Sequence, residues 1–300
     1  MISVIIPHLD QPEGLKACLA SLCSQERIAG PVELIVVDNG SKVMPVDVCS
    51  GFHGVTLLRE PTPGPGPARN LGVLHAAGDI LAFIDADCVA DKGWLSQIER
   101  SFSEDATLAI MGGDVRIACG NPQQLTLLEA YESVFAYRMK EYIAKQGFTG
   151  TGNLAMRANV FAAVGPFGGI QIAEDRDWGQ RAMQLGYRTH YCQGMIIYHP
   201  ARKNLAEIAR KWERHTAHDF AQFQSKRGWW VRWVLRSAAV AISPAAEVVR
   251  IASSKRLNGW RARGLAFIGV VLIRLYRSGV MLALAFGASA PRLSERWNRA

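Results

Sequence analysis

The chain has 300 residues, of which 49% are hydrophobic and 20% are charged. This composition supports a buried core and excludes an intrinsically disordered chain. The 28 glycines and 13 prolines are too few for a fibrous or low-complexity protein. The six cysteines form no Cys-x-x-Cys pair and no cluster with histidine. Their spacing argues against a structural zinc site or a disulfide framework and favours a reducing compartment.

The charge is distributed unevenly along the chain. Residues 1–200 carry 15 Lys and Arg against 21 Asp and Glu, whereas residues 201–300 carry 19 against five. Six of the eight tryptophans also lie after residue 200. An acidic body with a basic, Trp-rich tail predicts a protein of two parts, of which the tail is expected to meet a polyanion. The opening Met-Ile-Ser-Val-Ile-Ile-Pro has no basic region and no cleavage site, which predicts a strand rather than a signal peptide.

Short apolar runs alternate with helical patterns over the first hundred residues. Strands are predicted at 3–6, 32–37, 55–58 and 80–84, and helices at 14–22 and 68–77. This order predicts an α/β fold with a mostly parallel central sheet flanked by helices. Beyond residue 108 the pattern is less regular. There the sequence predicts helices at 125–142 and 174–185, a turn-rich loop at 149–153 and short strands within 186–197.

Polar side chains follow three of the predicted strands where each strand ends. His8 and Asp10 follow the first, residues 38–41 follow the second, and Asp85 and Asp87 follow the fourth. Ligands of parallel sheets bind at the carboxyl ends of the strands, so we expect one site there. Two carboxylates two residues apart can hold a hard cation such as Mg²⁺ or Mn²⁺, which leaves coordination positions for phosphate oxygens.

A second acidic cluster, Glu174-Asp-Arg-Asp177, opens a predicted helix. Acids in a first turn complement the helix dipole, yet three acids in four residues, with Arg181 a turn later, exceed what a cap needs. His199 follows a predicted strand, where a single histidine is more often packed than a ligand. The Gly-rich segment 64–72 lacks the spacings of a P-loop and of a dinucleotide-binding loop, so the sequence supports neither an ATPase nor a dinucleotide binder.

The last third is apolar but interrupted by arginines. Its longest uncharged run, residues 278–291, has 14 residues, short of the roughly 20 that span a bilayer. On a helix, Arg263, Arg274 and Arg277 fall within about 60° of one another, opposite an apolar face. This predicts a helix lying in the membrane interface. Four tryptophans are expected at the headgroup level: Trp229, Trp230, Trp233 and Trp260. The alternative is a helical hairpin packed on the body or on a partner.

Eight short motifs match one family in its order. They are Ser3-Val-Ile-Ile-Pro7, Glu33-Leu-Ile-Val-Val-Asp-Asn-Gly-Ser41, Gly66-Pro-Ala-Arg-Asn-Leu-Gly72, Gly78-Asp-Ile-Leu-Ala-Phe-Ile-Asp-Ala-Asp87, Gly152-Asn-Leu-Ala-Met-Arg157, Val164-Gly-Pro-Phe167, Glu174-Asp-Arg-Asp177 and Tyr198-His199. In these motifs the chain resembles a family 2 glycosyltransferase of the GT-A fold, over residues 1 to about 200. The resemblance implies inverting, metal-dependent transfer of a sugar from a nucleoside-diphosphate sugar, with a UDP-sugar as the expected donor. The expected acceptor is a hydroxyl of a glycan or lipid-linked molecule in polysaccharide or glycolipid synthesis.

The resemblance also implies roles for individual residues. Contacts to the nucleotide sugar are expected from Pro7, His8, Asp10, Asp38, Asn39, Arg69, Asp85 and Ala86. A divalent cation, Mn²⁺ or Mg²⁺, is expected on Asp87 and His199. Asp175 is the expected catalytic base, and the acceptor or sugar region is expected to include Asn153, Glu174 and Arg181.

The chain departs from the family's usual pattern at two places. His8-Leu9-Asp10-Gln11 stands where Thr/Ser/Val-Tyr/Phe-Asn is usual, and Asp38-Asn39 stands where Asp-Asp is common. His8 and Asn39 are expected to serve there through hydrogen bonds.

The predicted organisation is a GT-A domain over residues 1–220 followed by a basic, Trp-rich α-helical extension over 221–300. Within the domain, 1–110 is the nucleotide-sugar-binding half and 111–220 the acceptor-binding half. The extension is expected to bind anionic lipid and hold a cytoplasmic enzyme peripherally at the inner face of the membrane. Its helices could also pair subunits in a homo-oligomer.

The sequence leaves one alternative function open and argues against two others. A catalytically degenerate GT-A scaffold, or a binding protein that acts through its basic tail, stays open as the alternative. A nucleotidyltransferase would need a pyrophosphate-binding loop rich in Gly, Arg and Lys near the N-terminus, and the sequence has none. A nucleic-acid binder would use the tail, but the sequence contains no recognised nucleic-acid motif, so no nucleic-acid partner is expected.

Overall fold

The protein is described by a computed structural model over residues 1–26 and 28–289. Its strands are β1 (Ile2–His8), β2 (Val32–Asp38), β3 (Val55–Arg59), β4 (Ile80–Ile84), β5 (Val89–Ala90), β6 (Ile110–Ala118), β7 (Asn153–Arg157) and β8 (Thr189–Pro200). Its helices are α1 (Pro12–Cys23), α2 (Val46–Ser50), α3 (Pro65–His75), α4 (Trp94–Glu104), α5 (Leu127–Phe135), α6 (Met139–Gln146), α7 (Ala158–Val164), α8 (Glu174–Gln184), α9 (Leu205–Phe223), α10 (Trp229–Ile242), α11 (Val248–Ser253) and α12 (Gly259–Ala285), with a 3₁₀ helix at Ser243–Glu247.

The strands form one sheet in the order β3-β2-β1-β4-β7-β6-β8-β5. β1 pairs in parallel with β2 and β4, and β2 pairs in parallel with β3. β7 runs antiparallel to both β4 and β6, and β5 runs antiparallel to β8. The α/β class is therefore confirmed, but the sheet is mixed. Its parallel pairs are confined to the first four strands, whose parallel pairing requires crossover connections.

The first hundred residues follow the sequence prediction closely, and the second hundred do not. The four predicted strands and two predicted helices are present as β1, β2, β3, β4, α1 and α3. The predicted single helix over 125–142 is wrong, because Tyr137 has φ +48°, a left-handed conformation that ends an α-helix. The chain forms α5 and α6 on either side of it. The short strands expected within 186–197 are one strand, β8, since Gln193 and Gly194 interrupt the apolar pattern but not the strand.

The described residues form two compact units, one of 1–116 with 137–200 and one of 117–136 with the residues from 201 onward. Unit 1 contains the sheet. Side chains alternate between its faces, so Val4 and Ile6 pack with Leu15 of α1 while Ile5 packs on the other face with Trp178 of α8. The predicted functional division at residue 220 stays a prediction, and the end of the predicted tail, residues 290–300, lies outside the described residues.

Unit 2 contains α5 and α9–α12. α12 contributes Ala266, Val270 and Ile273 to a core shared with α5 and α9. It is the one helix among the described residues that is long and apolar enough to cross a membrane by length and composition, with a mean hydropathy of 1.7 over its best window. A third of that window is buried inside the protein.

Two arginines of the predicted row at 263, 274 and 277 are paired inside unit 2. Arg274 donates to Oε1 of Glu247 and Arg277 donates to Oδ2 of Asp219, each at 3.3 Å. Arg277 also lies 4.5 Å from the ring centroid of Trp212. These acids lie on neighbouring elements, so the sequence pattern of α12 alone does not reveal the pairing. The interfacial placement of this helix stays a prediction.

One of the four tail tryptophans is likewise internal. Trp233 is fully buried between α10 and α12, and its indole N–H donates to the carbonyl of Met281 at 2.8 Å. Ser237 and Ser278 join the same two helices through their hydroxyls at 2.9 Å. Trp260, by contrast, is 86% exposed. α10 and α12 thus pack as a helical pair inside unit 2.

Candidate active site

The ends of β1 and β2 hold a buried histidine–aspartate pair. Nδ1 of His8 lies 3.0 Å from Oδ1 of Asp38, and neither residue is more than 2% exposed. Nε2 of His8 accepts the backbone N–H of Gln11, so neutral His8 carries its proton on Nδ1 and donates it to Asp38. The other oxygen of Asp38 accepts the backbone N–H of Ser41. Although burial raises the pKa of Asp38, the hydrogen bonds from Ser41 and His8 outweigh it and hold that pKa below its ordinary value.

Asn39 connects the end of β2 by hydrogen bonds to the loop at residues 60–64. Its amide donates to the carbonyls of Glu60, at 3.1 Å, and Thr62, at 2.8 Å, and its side-chain oxygen accepts the N–H of Gly64 at 2.7 Å. A carboxylate cannot donate to a carbonyl. The departure from Asp-Asp at this position is therefore explained by the loop that Asn39 holds.

Arg69 of α3 connects the acid at the end of β4 with the acid at the start of α8. Its side chain is 96% buried, and its guanidinium donates to Asp85 at 2.7 Å and to Glu174 at 3.1 Å. Glu174 directly precedes Asp175, so one buried cation brings together the two acidic clusters that the sequence predicted separately. Gly152 lies against the same site, where a Cβ would overlap the carboxylate of Asp85.

Asp87 and His199 approach each other where the turn after β4 meets the end of β8. Oδ2 of Asp87 lies 3.6 Å from Nε2 of His199. Nδ1 of His199 lies 2.8 Å from the carbonyl of Pro200, which only accepts, so Nδ1 carries the proton and Nε2 presents its lone pair. The hydroxyl of Tyr137 reaches that lone pair at 3.0 Å. A histidine oriented by a carbonyl on its second nitrogen is a common arrangement of metal ligands.

These residues fit a divalent cation. Donor atoms of Asp87, Cys88 and His199 all lie within 4.8 Å of one another. Burial raises the pKa of Asp87; His199 opposes this effect and Asp85 adds to it. A bound cation would offset the burial of this carboxylate, since opposite charge favours the ionised form. Burial also raises the pKa of the Cys88 thiol well above its ordinary value, which favours Asp87 and His199 as the ligands.

Asp175 lies in the first turn of α8, partly buried, and one of its oxygens accepts the backbone N–H of Arg176 at 2.7 Å. Burial raises its pKa, and the neighbouring charge of Glu174 raises it further. A carboxylate with a raised pKa is a better proton acceptor than an exposed one, which suits a general base.

Two predicted residues have their polar groups engaged inside unit 1. Asn153 is fully buried, where it accepts from the indole of Trp94 and donates to two backbone carbonyls. Arg181 donates to Asp177, one turn back in α8, and to the carbonyls of Val164 and Pro166. Both side chains therefore hold unit 1 together rather than offer free groups at the site.

The remaining predicted residues lie around the same strand ends. Pro7 is the half-buried penultimate residue of β1, and Ala86 is buried between Asp85 and Asp87. Asp10 is exposed, has φ +50°, and accepts the backbone N–H of Lys42 at 2.8 Å. Pro7, Ala86 and Asp10 therefore all lie at or just after the ends of β1 and β4.

Sequence reasoning did not select Tyr137, Cys88 or Gly152. Gly152 is the first residue of one of the eight motifs and Cys88 directly follows another, so their positions in the sequence were a usable signal. Tyr137 lies inside a segment that was predicted as continuous helix, and no local pattern indicated that its hydroxyl contacts His199.

Comparison with known proteins identifies the class. The model of glycosyl transferase family 2 matches residues 3–165, more than half of the chain, and the chain belongs to this family. It is 33% identical over 216 residues to glycosyltransferase AglE of Haloferax volcanii, covering 70% of each chain. It is 27% identical over 220 residues to a pre-mycofactocin glycosyltransferase of Mycobacterium tuberculosis, covering 70% of this chain and 45% of that one. The protein is thus a glycosyltransferase.

Solved structures agree on the fold. The mannosyltransferase PcManGT from Pyrobaculum calidifontis, in complex with GDP-Man and Mn²⁺, superposes with a TM-score of 0.52 at 17% identity, covering 99% of this chain and 79% of that one. TarS 1-349 of S. aureus, in complex with UDP-GlcNAc, gives a TM-score of 0.55 at 13% identity, covering 95% and 92%. The predicted GT-A fold is confirmed.

Proposed function

We propose that this glycosyltransferase transfers a sugar from a nucleoside-diphosphate sugar, with a UDP-sugar as the first donor to test, to a hydroxyl of a glycan or lipid-linked acceptor. The product would enter a polysaccharide or glycolipid. The observation that carries the proposal is the bridge that Arg69 makes between Asp85 and Glu174. Through it, the acid that would face the donor and the helix turn that would supply the base are held at one edge of the sheet.

Asp87 and His199 would hold the divalent cation, Mn²⁺ or Mg²⁺, through a carboxylate oxygen and Nε2. When bound, such an ion neutralises negative charge on the departing nucleoside diphosphate. Asp85 would stay oriented toward the donor because one of its oxygens is fixed by Arg69 at 2.7 Å. Gly152 supports this arrangement, since any side chain there would displace the Asp85 carboxylate.

Asp175 would take the proton of the acceptor hydroxyl. As the acceptor oxygen forms its bond to the anomeric carbon, the bond from that carbon to the diphosphate oxygen breaks, and the diphosphate leaves with the electron pair. Attack from the side opposite the leaving group inverts the anomeric centre. Because the pKa of Asp175 is raised by burial and by Glu174, its carboxylate is a stronger base than an exposed aspartate.

The nucleotide would bind over the ends of β1 and β2. Asp38 is fully buried and both of its oxygens accept hydrogen bonds, so we assign it a positioning role for His8 and Ser41. Asn39 would act in the same way through the 60–64 loop. Pro7 and the exposed Asp10 would line the pocket directly.

The donor nucleotide and the cation can be tested together by thermal melting with UDP, GDP, TDP and CMP, each with and without Mn²⁺. Saturation at 100 times the dissociation constant stabilises by about 2.7 kcal/mol, which raises the melting temperature by several degrees at about 2–4 °C per kcal/mol. One nucleotide should give a Mn²⁺-dependent shift that Asp87→Asn removes and that the exposed Asp79→Asn retains.

If no nucleotide shifts the melting temperature in the presence of Mn²⁺, the donor site is degenerate. The alternative, a scaffold that acts through its basic tail, would then replace the proposed transfer reaction.

We further propose that unit 2 holds the enzyme peripherally at the cytoplasmic face of a membrane. Its support is the exposure of the apolar residues Leu235, Ile242 and Val249, which are 65–76% exposed, together with the exposed basic residues Arg232 and Arg261 of the same unit. A unit that exposes both apolar and cationic side chains suits an anionic lipid interface. The proposed functional division into a domain over 1–220 and an extension over 221–300 rests on the same residues.

Vesicle flotation tests the membrane proposal. Leu235→Asp with Ile242→Asp should lower the fraction bound to anionic vesicles and leave the melting temperature unchanged. Leu74→Asp, at an 80% exposed position of α3, is the matched control and should bind normally. Equal flotation of all three proteins would overturn the proposal.

A further inference from the structure

A small cleft opens in unit 2 between α5 and the first half of α9. Its inner space is about 20 Å³, room for about one water molecule. Counted with its open mouth, the empty space is about 240 Å³, so a group larger than water would sit at the mouth. Aromatic residues of both helices, among them Tyr131 and Trp212, line the cleft together with charged side chains.

Glu132, the one acid among the described residues that line the cleft, is already paired. Glu132 of α5 is 2% exposed, and Arg202 donates both its backbone N–H, at 2.8 Å, and a guanidinium N–H to the two carboxylate oxygens. Arginine has five side-chain N–H donors, and this pairing uses one of them. The Arg202 side chain keeps 24% of its surface exposed. It can therefore bind Glu132 and still present donors to a ligand.

Lys211 is the second cation of the cleft and has no such partner. Its ammonium makes no hydrogen bond or ion pair with any residue that the structure describes. Burial, reinforced by the nearby charges of Arg202 and Arg214 and opposed by Glu132, lowers the pKa of Lys211 to about 8. Lys211 is half-buried. Holding its charge there beside other cations costs free energy that an anionic partner would offset.

We propose that the mouth of this cleft is a binding site for a phosphate-bearing anion, held by the Lys211 ammonium and the free donors of Arg202. A phosphate group offers several charged acceptor oxygens, and its hydrogen bonds to ammonium and guanidinium are charge-assisted. The same chemistry belongs to a lipid phosphate headgroup and to a soluble phosphate compound. None of the residues that line the cleft is one that we assign to the donor sugar, and the site needs no metal.

Competitive acylation of lysines, read out by mass spectrometry on the full wild-type chain, tests the site without any substitution. The reaction is run at pH 8 with EDTA, so that no divalent cation can recruit phosphate elsewhere. The exposed Lys255 serves as the internal reference. Pyrophosphate should slow acylation of Lys211 at least about fivefold relative to Lys255, because a paired ammonium stays protonated. Chloride at equal ionic strength should not. Equal rates in pyrophosphate and chloride, together with equal rates in the two kinds of vesicle below, would overturn the proposal.

The source of the phosphate is distinguished by two probes. Vesicles that contain phosphatidic acid are compared with vesicles of phosphatidylcholine alone, and pyrophosphate is titrated separately in detergent. Protection of Lys211 by phosphatidic acid vesicles only indicates a lipid headgroup site. Protection by pyrophosphate only indicates a soluble phosphate compound, and protection by both indicates a site that accepts either.

Substitution provides the second measurement. Lys211→Met keeps the aliphatic stem and removes the charge, and it should weaken binding of the protecting probe by about 10- to 100-fold, the value of one charge-assisted hydrogen bond. Lys211→Arg should restore most of the affinity, and Lys255→Met should have no effect. Wild-type affinity in a Lys211→Met protein that melts normally would contradict the proposal.

Discussion

Nε2 of His199 lies 3.6 Å from Oδ2 of Asp87, although one residue ends β8 and the other follows β4. The carbonyl of Pro200 accepts the proton of Nδ1 and so leaves the Nε2 lone pair directed at the site. Tyr137 covers this lone pair with its hydroxyl at 3.0 Å. The hydroxyl of Tyr137 therefore contacts the same nitrogen that faces the carboxylate of Asp87.

His199→Ala should reduce the affinity for Mn²⁺ by at least about tenfold, since even outer-shell partners of metal ligands contribute 10–100-fold. The change can be measured by titrating free Mn²⁺ with electron paramagnetic resonance in the presence of the donor nucleotide. Tyr137→Phe is the matched control. It removes a hydrogen bond that competes with the cation, so its Mn²⁺ affinity should equal or exceed that of the wild type. Undiminished affinity in His199→Ala would exclude this histidine as a ligand.

Arg69→Met should lower the free energy of unfolding by about 1–3 kcal/mol, because it leaves Asp85 and Glu174 unpaired at a partly buried position. Urea denaturation measures the loss. Adding Asp85→Asn and Glu174→Gln to Arg69→Met should recover part of the stability, since both uncompensated charges are then removed. A stability equal to that of the wild type in the single variant would show that the bridge contributes nothing.

The acid limb of the pH–rate profile should report Asp175. A base works only when deprotonated, so kcat/KM should fall as the pH drops through the pKa of Asp175. Because burial and the charge of Glu174 raise that pKa, the limb should lie above the ordinary range of an aspartate. Glu174→Gln removes one of the two causes and should move the limb to lower pH. A limb that Glu174→Gln leaves in place would argue against Asp175 as the base.

Asn39→Asp, which restores the residue pair common in the family, should destabilise this protein by about 1–3 kcal/mol. The carboxylate would lose both donated hydrogen bonds, would face the carbonyls of Glu60 and Thr62, and would stand beside Asp38. Chemical denaturation at several pH values checks this. The loss should shrink at low pH, where a protonated carboxyl can donate one bond. Asn39→Ala, which loses the bonds without adding charge, should show no such pH dependence.

Local sequence patterns predicted the parallel half of the sheet correctly. Apolar runs of four to six residues, each followed by polar residues or glycine, are a local signal of a buried strand. This signal does not depend on distant contacts, so the ends of β1, β2 and β4 were located from the sequence pattern. The second acidic cluster was also found. Its connection to the first was not, because Arg69 reaches Glu174 from a helix more than a hundred residues earlier.

The antiparallel half escaped prediction for a related reason. β7 begins at Asn153, the last residue of the predicted turn-rich loop, and pairs with β4 and β6, which are distant in sequence. The break at Tyr137 leaves no trace in an otherwise helical pattern.

The sequence alone determined the α/β class, the order of the first strands, the family and the acids at the strand ends, because these depend on local periodicity and short motifs. Only the tertiary structure decided which polar groups remain available. It used the side chains of Asn153 and Arg181 internally, paired Arg274 and Arg277 with acids of other elements, and left Lys211 without a partner among the residues that the structure describes. Pairing depends on which distant segments of the chain meet in space. The residue type alone does not show whether a charged or amide side chain has a hydrogen-bond or ion-pair partner.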